Sequence, residues 1–144
     1  MKRVAIFPGS FAPFHTGHFD IVKQILPLFD EVKVVHLKNP IKSIDSDFSM
    51  LKQYIQTKKT YTPLYIFDFP GMLVDLVNKF HSNKEQVTII KGLRNTNDFI
   101  YEQAMQYNNE DLGIKCPTVY IIADRKLVHI SSSAINAIEK SRKK

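Results

Sequence analysis

Five short apolar runs, at residues 4–7, 32–37, 64–67, 87–90 and 118–122, are separated by intervals that carry helical spacing, at 17–26, 48–59, 71–81 and 96–110, with a further helical pattern at 132–141. Strands divided by helices pair in parallel, because a parallel neighbour is reached only through a crossover long enough to hold a helix. The alternation therefore predicts an α/β fold: a Rossmann-like, doubly wound, five-stranded parallel sheet with helices on both faces. In the third helical interval Met72, Leu73, Leu76, Val77 and Phe80 make one apolar stripe, expected in the core, while Asp75, Asn78 and Lys79 face away.

No repeat, low-complexity tract or Pro/Gly-rich linker interrupts the series, so residues 1–144 read as a single domain. No apolar run approaches the roughly 20 residues of a membrane span. Lys2 and Arg3 precede only four apolar residues before Pro8, too few for a secretory signal. Cys116 is the sole cysteine, with no partner for a disulfide or a Cys-x-x-Cys site, and it reads as a small buried apolar residue in a cytoplasmic protein. The formal charge is +6, but Lys140, Arg142, Lys143 and Lys144 supply four of those charges at the end of the last helical pattern. That placement suits a helix terminus, and aromatic side chains are not interleaved with the basic ones, which argues against nucleic-acid binding.

Sheets of this class bind ligands beyond the carboxyl ends of their strands. The segments expected there are 8–18, 38–42, 68–71, 91–94 and 123–133, and they hold most of the chain's chemistry. Residues 9–18 read Gly-Ser-Phe-Ala-Pro-Phe-His-Thr-Gly-His, placing Gly9, Ser10, Phe11, His15, Gly17 and His18 where a strand gives way to a helix. Free backbone N–H groups and the helix dipole attract phosphate at such a junction, and an imidazole there donates to a phosphoryl oxygen. Ser131, Ser132 and Ser133 open the last helix as a second anion cradle, where a single serine would be an ordinary cap. Lys91 and Arg94 flank Gly92, and Asp98 and Glu102 share a helix face downstream. These four, and Lys42, suit nucleotide recognition or, alternatively, a solvated surface of ion pairs. His36 reads as strand packing and His81 as a surface group at a helix end. The chain has no P-loop, no Gly-x-Gly-x-x-Gly fingerprint and no Gly-x-Ser-x-Gly elbow, and His15 and His18 lack neighbours for a zinc set, so no metal ligands are expected.

In order along the chain, Pro8-Gly9-Ser10-Phe11-x-Pro13 with Gly17-His18, Lys42, residues 71–75, Gly92-Leu93-Arg94, Asp98-Phe99 with Tyr101-Glu102, and residues 130–133 resemble the phosphopantetheine adenylyltransferase family of His-x-Gly-His nucleotidyltransferases. The resemblance implies adenylyl transfer from ATP to 4′-phosphopantetheine, giving dephospho-coenzyme A and pyrophosphate in coenzyme A biosynthesis. It implies that His18 stabilises the α-phosphoryl transition state, that Lys42 and Arg94 neutralise phosphates, and that Ser131, Ser132 and Ser133 hold the pyrophosphate end. Ser10 and Lys91 would receive the acceptor phosphate, Met72, Leu73 and Val74 would line its arm, and Asp98 and Glu102 would lie near the nucleotide. Mg2+ would arrive with ATP, held by phosphate oxygens and water, and the assembly would be a homohexamer. The family usually has Asp at Ala12, Thr at His15, Arg at Lys91 and a second Lys at Ser43. Two other readings stay open: a related nucleotidyltransferase using ATP or CTP with another phosphorylated acceptor, and a nucleotide-binding regulator without turnover.

Overall fold

The computed structural model describes residues 1–37, 46–57 and 62–122, with 138 and 140. Five strands form one parallel sheet in the order β3-β2-β1-β4-β5: β1 Arg3–Gly9, β2 Glu31–Leu37, β3 Leu64–Phe69, β4 Gln86–Leu93 and β5 Thr118–Ile122. The helices between them are α1 Thr16–Ile25, α2 Ser49–Thr57, α3 Leu73–Ser82 and α4 Thr96–Asp111. Of the helix expected at 132–141, only 138 and 140 are described, and both are helical.

Successive strand side chains point to opposite faces, so a strand apolar at every position needs cover on both. Ala5, Phe7, Val32, Val34 and Ile90 pack on one face against Ile21, Val22 and Ile25 of α1 and Leu51 of α2. Val4, Ile6, Val35, Val87 and Ile89 pack on the other against Leu76, Val77 and Phe80 of α3, with Ile114 and Cys116. Helices on both faces and a parallel sheet match the expectation, as does the burial of Cys116. After α4, Gly113 takes φ +97, donates to the Glu110 carbonyl, and Ile114 donates to that of Asn109. This Schellman arrangement ends the helix and turns Ile114 into the core.

Two expectations need correction. Met72 is 55% exposed rather than part of the core stripe, because α3 begins one residue later and Met72 is its N-cap. Pro8, Gly9, Asp68 and Lys91 to Leu93, expected in loops, lie inside strands. Pro8 and Gly9 stay paired because β2 continues alongside them, with Gly9 opposite His36, and the register of β3 in turn sets His36 opposite Asp68.

Candidate active site

The sheet opens at its carboxyl edge. β1 and β4 pair from Arg3 with Gln86 to Ile6 with Ile89; beyond that point β1 runs on beside β2 to Gly9, and β4 beside β5 to Leu93. The connections from β1 and β4 also leave in opposite directions, so the crevice lies at the reversal of strand order, where doubly wound sheets take ligands.

The loop entering α1 forms one wall of this crevice. Phe11 has φ +46, which costs a residue with a side chain of the order of 1–3 kcal/mol and persists only where its surroundings hold it. They do so here. Its ring is buried against Phe7, Phe14 and Phe48, at centroid distances of 5.2, 5.5 and 5.4 Å. Its carbonyl accepts from Asp47 N–H at 2.9 Å, and Phe14 N–H donates to the Asp47 carbonyl at 2.8 Å. Gly9 has no Cβ for a reason: one would sit 3.0 Å from the Phe11 ring. The Phe11 side chain is thus committed to the core, whereas Ser10 beside it is exposed.

The helix start is capped by histidines. His15 is the N-cap of α1, and its Nδ1 accepts from Gly17 N–H at 3.1 Å, while His18 Nδ1 accepts from His15 N–H at 3.1 Å. The Gly17 N–H expected to face an anion is thus taken by an imidazole. The two rings stack at 3.8 Å, and a Cβ on Gly17 would lie 2.9 Å from the His15 ring. Because each Nδ1 accepts a backbone proton, each ring carries its own proton on Nε2. Burial pushes the His18 pKa down to about 3, with the charges of His15 and Arg94 adding to the effect. Burial, then Arg94, also lowers that of His15. The site thus presents neutral imidazoles as N–H donors beside a fixed guanidinium.

Arg94, just past β4, is held by Asp98: Oδ2 accepts from the Arg94 backbone N–H at 3.0 Å and from Nε at 3.1 Å. Burial raises the Asp98 carboxyl, but the hydrogen bonds and charge of Arg94 outweigh it and hold the group below the usual carboxylate range. Asn95 caps α4 by accepting from Asp98 N–H at 2.9 Å. Lys91 Nζ stands 3.8 Å from Glu102 Oε2, both largely buried, and burial together with Glu102 raises the Tyr120 phenol nearby. Met72 is exposed at the start of α3, where Leu73 and Val74 pack on the second core.

The fold thus brings Gly9, Ser10, Phe11, His15, Gly17, His18, Arg94 and Asp98 to one edge, with Lys91 and Glu102 on the α4 side of it. Lys42, Ser131, Ser132 and Ser133 lie outside the described residues. Sequence reasoning missed Asp47 and Phe48, which lock the loop from a distance. It also missed the bond of buried His36 to Asp68, although a histidine set between Val35 and Leu37 is a visible signal.

The Cytidylyltransferase-like family model matches residues 6–138. The phosphopantetheine adenylyltransferase of Clostridium novyi is 37% identical over 137 residues, covering 94% of this chain and 83% of that protein. That of Cytophaga hutchinsonii is 37% identical over 142 residues, covering 97% and 91%. Among solved structures, the nicotinic acid mononucleotide adenylyltransferase of Plasmodium falciparum superposes with a TM-score of 0.66 at 17% identity, covering 97% of this chain and 90% of that one, a likeness of fold. With a crevice at the strand-order reversal, a paired imidazole cap beside an arginine, and relatives of this similarity over nearly its whole length, the chain belongs to the phosphopantetheine adenylyltransferases of the cytidylyltransferase-like family.

Proposed function

We propose that this chain transfers the adenylyl group of ATP to 4′-phosphopantetheine, releasing pyrophosphate and forming dephospho-coenzyme A. The observation that carries the reading is the pair of neutral imidazoles, each with Nε2–H as donor, stacked at the head of α1 within the field of Arg94. An oxygen of the acceptor phosphate attacks the α-phosphorus, and the bond from that phosphorus to the oxygen bridging the β-phosphate breaks. No proton moves and no protein nucleophile is used, so the chain's task is alignment and charge stabilisation. A neutral His18 suits that task, since it donates a hydrogen bond to the α-phosphoryl oxygens without titrating. Arg94 and Lys42 would neutralise the triphosphate, and Ser131, Ser132 and Ser133 would receive the leaving pyrophosphate.

Ser10 and Lys91 would take the acceptor phosphate, and Met72, Leu73 and Val74 its arm. The exposure of Met72 and Ser10 supports this assignment. Asp98 would fix Arg94 against the nucleotide, and Glu102 would hold Lys91. The donor set suits an anion rather than a bare metal ion, because its carboxylates are already engaged by cations. When bound, Mg2+ would come with ATP, held by phosphate oxygens and water, and would disperse the triphosphate charge. Helix α4 displays Phe99, Ile100, Tyr101 and Tyr107 to solvent, which supports association with further copies of the chain, as the homohexamer implied by the resemblance would need. No helix among the described residues is long and apolar enough to cross a membrane, and we place the reaction in the cytoplasm.

Pyrophosphate release tests the reading directly. ATP with 4′-phosphopantetheine is expected to give dephospho-coenzyme A as the product identified by mass. Turnover with CTP and glycerol 3-phosphate, or with nicotinamide mononucleotide, in its place would assign another acceptor. Tight nucleotide binding with no turnover would make the chain a regulator.

A further inference from the structure

His36 is the one buried polar or charged side chain among the described residues, 3% exposed near the carboxyl end of β2, where it pairs with Gly9 and Asp68. Strand alternation puts it on the face of Val32 and Val34, beneath α1 and α2. Its Nδ1–H donates to Asp68 Oδ1 at 3.1 Å, between register partners on adjacent strands. An imidazole buried without a partner is costly, and an apolar residue would fill the position without that liability. The pair is therefore poorly explained by sheet stability alone.

Its position suggests what it does. Asp68 Oδ1 also accepts from Ser46 Oγ at 3.3 Å. Ser46 adjoins Asp47, whose N–H and carbonyl clamp Phe11 and Phe14, and whose side chain accepts from Ser49 N–H at 3.0 Å where α2 begins. Phe48 packs against both the Phe11 and the Phe14 ring, and those rings lie 5.0 and 5.2 Å from the His18 ring. A continuous path of bonded and packed groups thus joins the end of β3 to the imidazole cap. We propose that Asp68 is a positioning residue: pinned by buried His36, its carboxylate holds Ser46 and, through residues 46–48, fixes the loop that carries His15 and His18. The kinetic consequence rests on the proposed role of His18; the anchoring does not.

Amide hydrogen exchange in the full chain tests the anchor independently of turnover. In Asp68→Ala, protection of the Asp47 and Phe14 amides is expected to fall about tenfold or more while that of Val34 and Ile89 is unchanged. Asp68→Asn, whose amide oxygen still accepts both bonds, is expected to restore it. Where adenylyl transfer is measurable, kcat of Asp68→Ala falls with the KM for ATP changed less, and Asp68→Asn recovers it. Unchanged protection at Asp47 and Phe14, or an equal loss across the sheet, would overturn the proposal. Should Asp68→Ala fail to fold, Ser46→Ala cuts the anchor and leaves the His36–Asp68 bond whole, and unchanged protection at the same two amides would overturn the proposal there too. A wild-type chain that shows the exchange pattern but no transfer would sink the functional reading and leave the anchor standing.

Discussion

His18 is defined by what its Nδ1 accepts. The backbone proton of His15 fixes the tautomer, and burial keeps the ring neutral, so its pKa lies at about 3 rather than the ordinary 6.5. Between those values the unfolded chain binds the proton that the folded chain refuses, so stability rises with pH across that window and is lost as pH falls through it. We expect the His18 ring resonances to show no titration between pH 8 and 5 in the free protein, and the apparent pKa to rise when the triphosphate binds opposite it. A midpoint near 6.5 without ligand would contradict the structure. The histidine motif is legible in the sequence, but its capping role is not, because histidine is an uncommon N-cap and the geometry depends on a ring folding back over Gly17.

The contact between α1 and β4 depends on a missing methyl group. A Cβ on Gly92 would run into Cδ1 of Ile21, the flexible end of a side chain that packs this helix on the sheet. Gly92→Ala is expected to destabilise the protein by roughly 1–3 kcal/mol through overpacking. Ile21→Val removes the offending atom, so the double variant should recover much of that loss in a denaturant double-mutant cycle; strict additivity would show that the two sites are not in contact. Elements of this kind were readable from pattern. Val4, Ile6 and their neighbours announce strands, and Leu76, Val77 and Phe80 announce a helix face, because side-chain periodicity is local. Met72 departs from that stripe only because the helix starts after it. The left-handed backbone of Phe11 left no local trace, since Asp47 and Phe48, far along the chain, impose it. His36 was recognisable as a packed strand residue, while its partner Asp68 became visible only with the strand register.

At the scale of the molecule, two wound halves meet at β1 and β4, and the residues with chemistry gather where that pairing ends. The exposed apolar residues of α4 belong to the same scale. Sedimentation equilibrium is expected to give a species roughly six times the 16.6 kDa of one chain, and replacing Ile100 and Tyr101 with Glu should shift it toward smaller species; a monomer in the unaltered protein would remove the hexamer. The alternating pattern made the sheet foreseeable, and the resemblance named the family, but the crevice itself comes from the register. All of this converges on the Nε2–H of His18, and the most direct measurement is kcat for pyrophosphate release by His18→Ala. Loss of a preorganised donor to developing charge predicts a fall of roughly 10²–10³ with the fold retained by circular dichroism. A rate equal to that of the unaltered protein would contradict the account.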